Sequence, residues 1–320
     1  MHRVRPLRVM TSDVGNPLAD SELILQQGGK QMQHNALYDD TINSLNARLP
    51  DLRRQWHRSK PFRWVVIDNF LPEDHAERVH DEYPTPYETD FDETTYAHQK
   101  GKFTKTEGFE GAMKQFFDFG ASPEFLRWLE ALTGIDDLLA DPTLEGGGLH
   151  QIGQGGYLDI HIDYNRHPQF KWHRRLNLLV YMNKDWKREY NGQLELWDFT
   201  DGNEELLEEL YPSFNTALIF ETNEISYHGH PHPVDCPAPM TRKSMALYFY
   251  TEERDDEFAD APEHNTIYRQ TTGVSGYLKT SRSAVEAMKE RVEQMGVRQA
   301  MTHAVGRVYR KLVGKPPANR

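Results

Sequence analysis

A mainly β fold with flanking helices, its strands closed into a sandwich or barrel, is what this sequence predicts, on three observations. Between Gly146 and about residue 255 the chain carries a series of short β-patterned segments: "GGGLHQI", "YLDIHIDY", "RRLNLLVYMN", "QLELWDF", "NTALIFE", "EISYHGH" and "SMALYFYT". Gly, Asn and Pro turns separate them. On both sides of that block the apolar spacing turns helical. A hydrophobic content of 38% and an aromatic content of 11% over 320 residues are enough to bury a sizeable core, which argues against wholesale disorder. Changes in composition divide the chain into a polar N-terminal arm (1–58), a β-rich domain (59–255) and a C-terminal helical extension (256–320).

The arm is rich in Gln, Asn, Asp and Arg, and reads as loosely held, with a helix around "DDTINSLNARL". At "KPFRWVVIDNFL" the composition changes abruptly; Trp64 to Ile67 form a β-rich run, and Pro72 opens a helix, "PEDHAERVHDEY". Residues 84–115 are polar and turn-rich, long enough for a functional loop or lid. In "SPEFLRWLEALTG", Ser122 is the expected N-cap, Pro123 sits at the first helical position, Phe125, Leu126, Leu129 and Leu132 share a face, and Gly134 closes the helix. "GQGG" at 153–156 lies between two β segments and opens no helix, so a tight turn is expected there, not a phosphate loop.

Two helical stretches follow, "SRSAVEAMKERVEQM" and "VRQAMTHAVGRVYRKLVG". From Val297 to the end the charges are basic only, with Val297, Ala300, Met301, Ala304, Val305, Val308 and Leu312 at helical spacing. Such a helix suits packing on the acidic body or a dimer mate, ahead of the alternative of an anionic membrane surface.

Bulk properties exclude several classes. A net charge of −12 argues against nucleic acid as a partner. A single cysteine, Cys236, permits no internal disulfide and no zinc site built from several thiolates. There is no apolar run of membrane-spanning length and no apolar stretch behind the N-terminal arginines, so a cytoplasmic protein is the expectation.

The chemistry centres on "YLDIHIDYN". In a strand, residues i and i+2 project to one face, so His161 and Asp163 present an imidazole and a carboxylate side by side. Alone they fit an exposed polar strand edge as well as a metal site. A facial triad of two histidines and one carboxylate holds Fe(II) and leaves the opposite face open. "SYHGHPHPV" offers His228, His230 and His232 as the third ligand. Arg242-Lys243-Ser244 then heads the last strand. Charge explains an arginine there. Fe(II), one carboxylate and a dianionic 2-oxo acid sum to −1, and a guanidinium both restores neutrality and grips a carboxylate bidentately.

The run from about residue 60 to 251 resembles the prolyl-4-hydroxylase-like branch of the Fe(II)/2-oxoglutarate-dependent dioxygenases. The matching pieces occur in order: "PFRWVVIDNFL", "GGYLDIHIDYN", "RRLNLLVYMNKDW" with "NGQLELWD", and "SYHGHPHPV" before "RKSMALYFYT". The resemblance implies a double-stranded β-helix (jelly-roll) core, Fe(II) held by His161, Asp163 and His228, and 2-oxoglutarate as co-substrate chelating the iron. It further implies that Arg242 meets the distal carboxylate with Tyr181 as hydrogen-bonding partner, that Ser244 and Asn177 are further candidates for that pocket, and that ascorbate serves as reductant. Among the three histidines His228 is preferred, because Gly229 and Pro231 break the strand after it; His230 and His232 then take rim positions. Relatives often place a tyrosine where this chain has "LHQIGQ", so His150 or Gln151 is expected to take its part.

The implied activity is hydroxylation of an unactivated C–H bond with O₂, on a prolyl residue of a protein or peptide or on a small metabolite; the amphipathic C-terminal helices add the expectation of a homodimer. The rival from another class is a non-oxidative, cupin-like metal-binding jelly roll, which has no use for Arg242.

Overall fold

The computed structural model describes residues 17–85 and 98–269, with side chains from residue 37 onward. The expected C-terminal helices and the basic face beginning at Val297 lie outside the described residues, as does 86–97 of the expected lid.

Four helices are described: α1 (Pro17–Arg58), α2 (Glu73–Asp81), α3 (Gly111–Gly120) and α4 (Pro123–Thr133). The strands are β1 (Trp64–Asp68), β2 (Gln99–Lys105), β3 (Leu139–Ala140), β4 (Gly148–Ile162), β5 (His173–Tyr181), β6 (Leu194–Asp198), β7 (Glu205–Leu210), β8 (Thr216–Glu221), β9 (Tyr227–His230), β10 (Arg242–Thr251) and β11 (Ile267–Tyr268). They form one curled antiparallel sheet in the order β1-β8-β5-β10-β4-β9-β6-β7, with β2 and β11 also on β4 and β3 on β10. This mainly β, jelly-roll architecture is the one expected. No described helix is long and apolar enough to cross a membrane.

Strand alternation decides what the site contains. On β5, β8 and β10, Leu176, Leu178, Val180, Ala217, Ile219, Met245, Leu247 and Phe249 are buried in the main core with Phe116, Phe119, Phe125 and Trp128 from the helices. The intervening residues, among them Asn177, Tyr181, Phe220, Arg242, Ser244 and Tyr248, therefore face the interior of the curl.

The α4 helix has the expected punctuation: the Ser122 hydroxyl accepts from the Phe125 N–H, Pro123 opens the helix and Gly134 adopts φ +76°. Three expectations change. The helix placed around Asp39 to Leu49 runs to Arg58, and Leu45, Leu52 and Trp56 enter the main core, so residues 37–58 are packed and not loosely held. "GLHQIGQGGYLDIHI" is one strand with no turn at 153–156. Gly155 (φ +77°) bends it, and a Cβ on Gly156 would lie 2.8 Å from the Lys100 carbonyl, so glycine lets β2 close against the bend. The first half of β4 pairs with β10 and the second half with β9, which curls the sheet. Finally, β2 and the start of α3 fall within the stretch expected as a loop or lid, and β3, β7 and β11 are present where no strand was expected.

Candidate active site

The second half of β4 delivers His161, and Asp163 follows its last residue. Across the ladder, His228 of β9 stands directly opposite His161, and partners directly opposite in an antiparallel pair project to the same face. The three converge: one ligand atom from each of His161, Asp163 and His228 lies within 4.8 Å of the others, the one such cluster among the described residues. Both imidazoles are oriented by the same local device. His161 Nδ1 donates to the Asp159 carbonyl at 2.8 Å, and His228 Nδ1 donates to the Ser226 carbonyl at 2.9 Å. Each Nε2 is thereby left as the bare lone pair, and each points at the Asp163 carboxylate, 3.5 Å away. Burial, then the neighbouring His161, pushes His228 down to about 4, so it is a neutral donor at neutral pH.

Asp163 is held from the other side by residues that its own strand does not supply. Asn177 donates to Oδ2 at 2.7 Å, and Arg174 lies 3.0 Å from the same oxygen. Arg174 also donates through Nε and Nη2 to the Asn177 side-chain oxygen, at 3.0 and 2.8 Å, and stacks 3.5 Å above the Tyr248 ring. Burial alone would raise the Asp163 carboxyl; Arg174, followed by the two histidines, outweighs it and holds the group well below the usual carboxylate range. The donor set (two imidazoles with their Nε2 atoms turned to one carboxylate, itself ionised and oriented) fits Fe(II) bound on one face.

From these residues a narrow cleft leads to Arg242, lined also by His150, Asn177, Ser244 and Tyr248. Arg242 is 4% exposed, its Nε donates to the Gly192 carbonyl at 2.6 Å, and its Nη2 lies 3.3 Å from the Tyr181 hydroxyl. Among the described residues no carboxylate pairs with it. A buried guanidinium without an acidic partner is costly unless a ligand supplies one, and a carboxylate reaching down the cleft from the metal position would do so.

The expected residues thus distribute as follows. His161, Asp163, His228, Arg242, Ser244 and Asn177 line one cavity, with Tyr181 behind Arg242. Asn177 donates to Asp163, and its side-chain oxygen accepts from Arg174 and Thr222. His150 faces the cleft, donating to the Gly147 carbonyl, and burial, then Lys102, keeps it well below its ordinary value. Gln151 points away and bridges Pro84 and Thr241. His230 is a buried rim residue of the cleft, and His232 is exposed beside Glu195. Sequence reasoning missed Arg174; the available signal was a pair of arginines heading the β segment "RRLNLLVYMN".

Three comparisons bear on identity. Residues 147–250, which include His161, Asp163, His228 and Arg242, match the family model described as 2OG-Fe(II) oxygenase superfamily. A curated relative, mouse "Prolyl 3-hydroxylase OGFOD1", is 26% identical over 200 residues, covering 59% of this chain and 33% of its own length, so the chain spans about a third of that relative. Solved structures similar to this chain include a Pseudomonas putida prolyl-4-hydroxylase (TM-score 0.44, 16% identity, 62% of this chain and 98% of that one). Another is a Trichoplax adhaerens prolyl hydroxylase in complex with a hypoxia inducible factor peptide fragment (TM-score 0.42, 17% identity, 67% and 92%). The matched segment and the converging side chains coincide: the residues similar to the 2OG-Fe(II) oxygenase superfamily are those that carry His161, Asp163, His228 and Arg242.

Proposed function

We propose that this protein is an Fe(II)- and 2-oxoglutarate-dependent dioxygenase that hydroxylates a prolyl residue of a protein or peptide. The observation that carries it is the convergence of His161, Asp163 and His228 at one end of a cleft whose other end is an arginine with no carboxylate partner among the described residues. In this reading His161, Asp163 and His228 hold the metal, and Arg242 with Tyr181 receives the distal carboxylate of 2-oxoglutarate. Ser244, next but one to Arg242 on the same strand face, lines the same pocket. When bound, the iron with 2-oxoglutarate and O₂ supplies the oxidising power that converts C–H to C–OH, with release of succinate and CO₂.

The chain's own contribution is geometric and electrostatic. The Nδ1 bonds of both histidines preset their rings, so little reorganisation accompanies metal binding. Arg174 and Asn177 keep Asp163 ionised and aimed. The buried walls of the cleft exclude water from the reacting centre. With Arg174 included, the charges of metal, Asp163, co-substrate and the two arginines sum to +1. Ascorbate as reductant, a cytoplasmic location and the absence of a nucleic-acid partner belong to the same reading, the latter two supported by the single buried Cys236 and the net charge of −12.

Anaerobic titration with Fe(II) and 2-oxoglutarate tests the site. A weak visible charge-transfer band is expected in the wild type, absent in Asp163→Ala and His228→Ala, and retained in His232→Ala. No band in the wild type would favour a non-oxidative, cupin-like metal protein, and loss in His232→Ala instead of His228→Ala would move the third ligand. A succinate-release screen over prolyl peptides and small metabolites then separates the two substrate classes.

A further inference from the structure

The active-site face extends past the segment that matches the family. After the last long strand the chain returns and adds β11 to the edge of β4 that β2 also occupies, opposite the edge used by β9 and β10. Tyr268 thereby becomes the direct partner of His161, on the same face, while Ile267 turns outward and is 45% exposed. A row of rings crosses the sheet. His228 lies 4.4 Å from His161, His161 is 5.4 Å from Tyr268, and Tyr268 is stacked at 4.4 Å and 7° on His98.

The returning segment is tied down along its length. Asn165 donates to the Pro262 carbonyl and accepts from the His264 N–H, His264 meets Glu224 at 2.7 Å, and the Arg269 N–H donates to the Ile160 carbonyl. The Arg269 guanidinium lies 3.6 Å above the Phe199 ring. His98 is fixed through Asp159, whose N–H donates to the His98 carbonyl and whose carboxylate lies 3.3 Å from its ring. Along β4, Arg242 stands opposite Ile152 and Tyr268 opposite His161. The two rings are therefore beyond the metal ligands from the co-substrate end, and neither lines the cleft that 2-oxoglutarate would fill. Both stay accessible: Tyr268 is half-buried and the His98 side chain is 36% exposed.

We propose that the stacked pair Tyr268 and His98 is the substrate-facing wall of the active site, against which the ring of the target proline packs; this rests on the prolyl-hydroxylase reading above. A pyrrolidine ring presents C–H groups polarised by the adjoining amide, and these pack on the negative face of an aromatic ring. A wall already ordered by stacking and anchoring loses little conformational freedom when it is met.

Steady-state kinetics of the iron-loaded full chain, with an arrayed set of peptides each holding one central proline and varied flanks, test the wall. For a peptide that stimulates succinate release by the wild type, Tyr268→Leu is expected to raise KM about tenfold with kcat little changed, a split that marks lost ground-state binding. Tyr268→Phe should stay near wild type, because the face and not the hydroxyl makes the contact, and His98→Leu should raise KM about threefold. The anaerobic Fe(II)–2-oxoglutarate band reports that each variant is folded. An unchanged KM in Tyr268→Leu, or Tyr268→Phe as impaired as Tyr268→Leu, overturns the proposal. Should Tyr268→Leu lose the band, His98→Leu decides in its place, and an unchanged KM there overturns it. If the wild type shows the band but no peptide stimulates it, the prolyl substrate falls, and the proposed occupant of the wall falls with it.

Discussion

Two buried arginines serve the two ends of the site, Arg174 behind Asp163 and Arg242 in the wall of the cleft, and they are finished differently. Arg174, at the metal end, has its partners built in: Asp163, the Asn177 oxygen, and the faces of Tyr248 and Tyr164. Burial works against its charge, but Asp163 beside it prevails and raises its affinity for the proton. Arg242, at the other end, has a carbonyl and a phenol and, among the described residues, no carboxylate. One ion pair is complete in the chain; the other is half made. The difference separates an arginine whose partners are built into the chain from one that, in the reading proposed above, meets its carboxylate in the co-substrate, although both are arginines at the head of a strand.

Substitution should split them. In the metal-free protein, Arg174→Met leaves Asp163 buried without its cation, which is expected to lower unfolding free energy by about 3–5 kcal/mol. Arg242→Met removes a charge that has no acidic partner among the described residues, so its stability should stay near or above wild type. Its 2-oxoglutarate affinity should fall about tenfold or more, the loss of a charge-assisted bond of roughly 1.5–3 kcal/mol. Urea denaturation and co-substrate titration of both variants read this directly, and equal destabilisation by the two would erase the distinction.

Acid should act at both ends together. His228 is depressed to about 4 and His150 also lies well below its ordinary value, each mainly by burial. Both fold neutral, whereas in the unfolded chain they take up protons below about 6.5. The unfolded state therefore binds more protons between about 6.5 and 4, and stability is full above that window and falls as pH drops through it. His228 alone should account for about 3 kcal/mol of that fall. Metal-free denaturation midpoints measured down this range should show it, with a shallower slope in His150→Phe; a flat profile would mean that the histidines are not held neutral.

The smallest effect is expected away from both ends. Ser122→Ala removes the α4 cap and should cost about 1 kcal/mol, with Fe(II) and 2-oxoglutarate binding as in the wild type. A binding defect there would show that the helices, and not only the cavity's own residues, tune the site.

What could be read in the sequence depended on the range of the interaction involved. Ser122, Pro123 and Gly134 act within their own helix, and all three do what local rules expect. Helix α3 escaped because its cap is remote: the Glu82 carboxylate accepts from the Ala112 and Met113 N–H groups, at 2.8 and 2.7 Å, while Glu110 at the N-cap offers no side-chain bond. The same contact explains Gly111 at φ +52°, where a Cβ would collide with Glu82. In β4 the glycines read as a turn because a bend absorbed into a continuous ladder needs the same residue. Arg174 and Asn177, three apart, would point to opposite faces of a regular strand; they reach each other beside a register shift between β5 and β10 at Phe249 and Tyr250.

By itself the sequence determined the side-chain alternation along each strand, hence which residues each strand could offer, and the order in which the family's pieces arrive. It placed His161 beside Asp163 because a period of two is a property of the strand alone. Only the tertiary structure decided that His228 faces them, that Asp163 is clamped by Arg174, that Arg242 has no carboxylate partner among the described residues, and that Tyr268 joins the row. Each of these depends on the register between strands far apart in the chain, and register is set by the packing of the whole sheet.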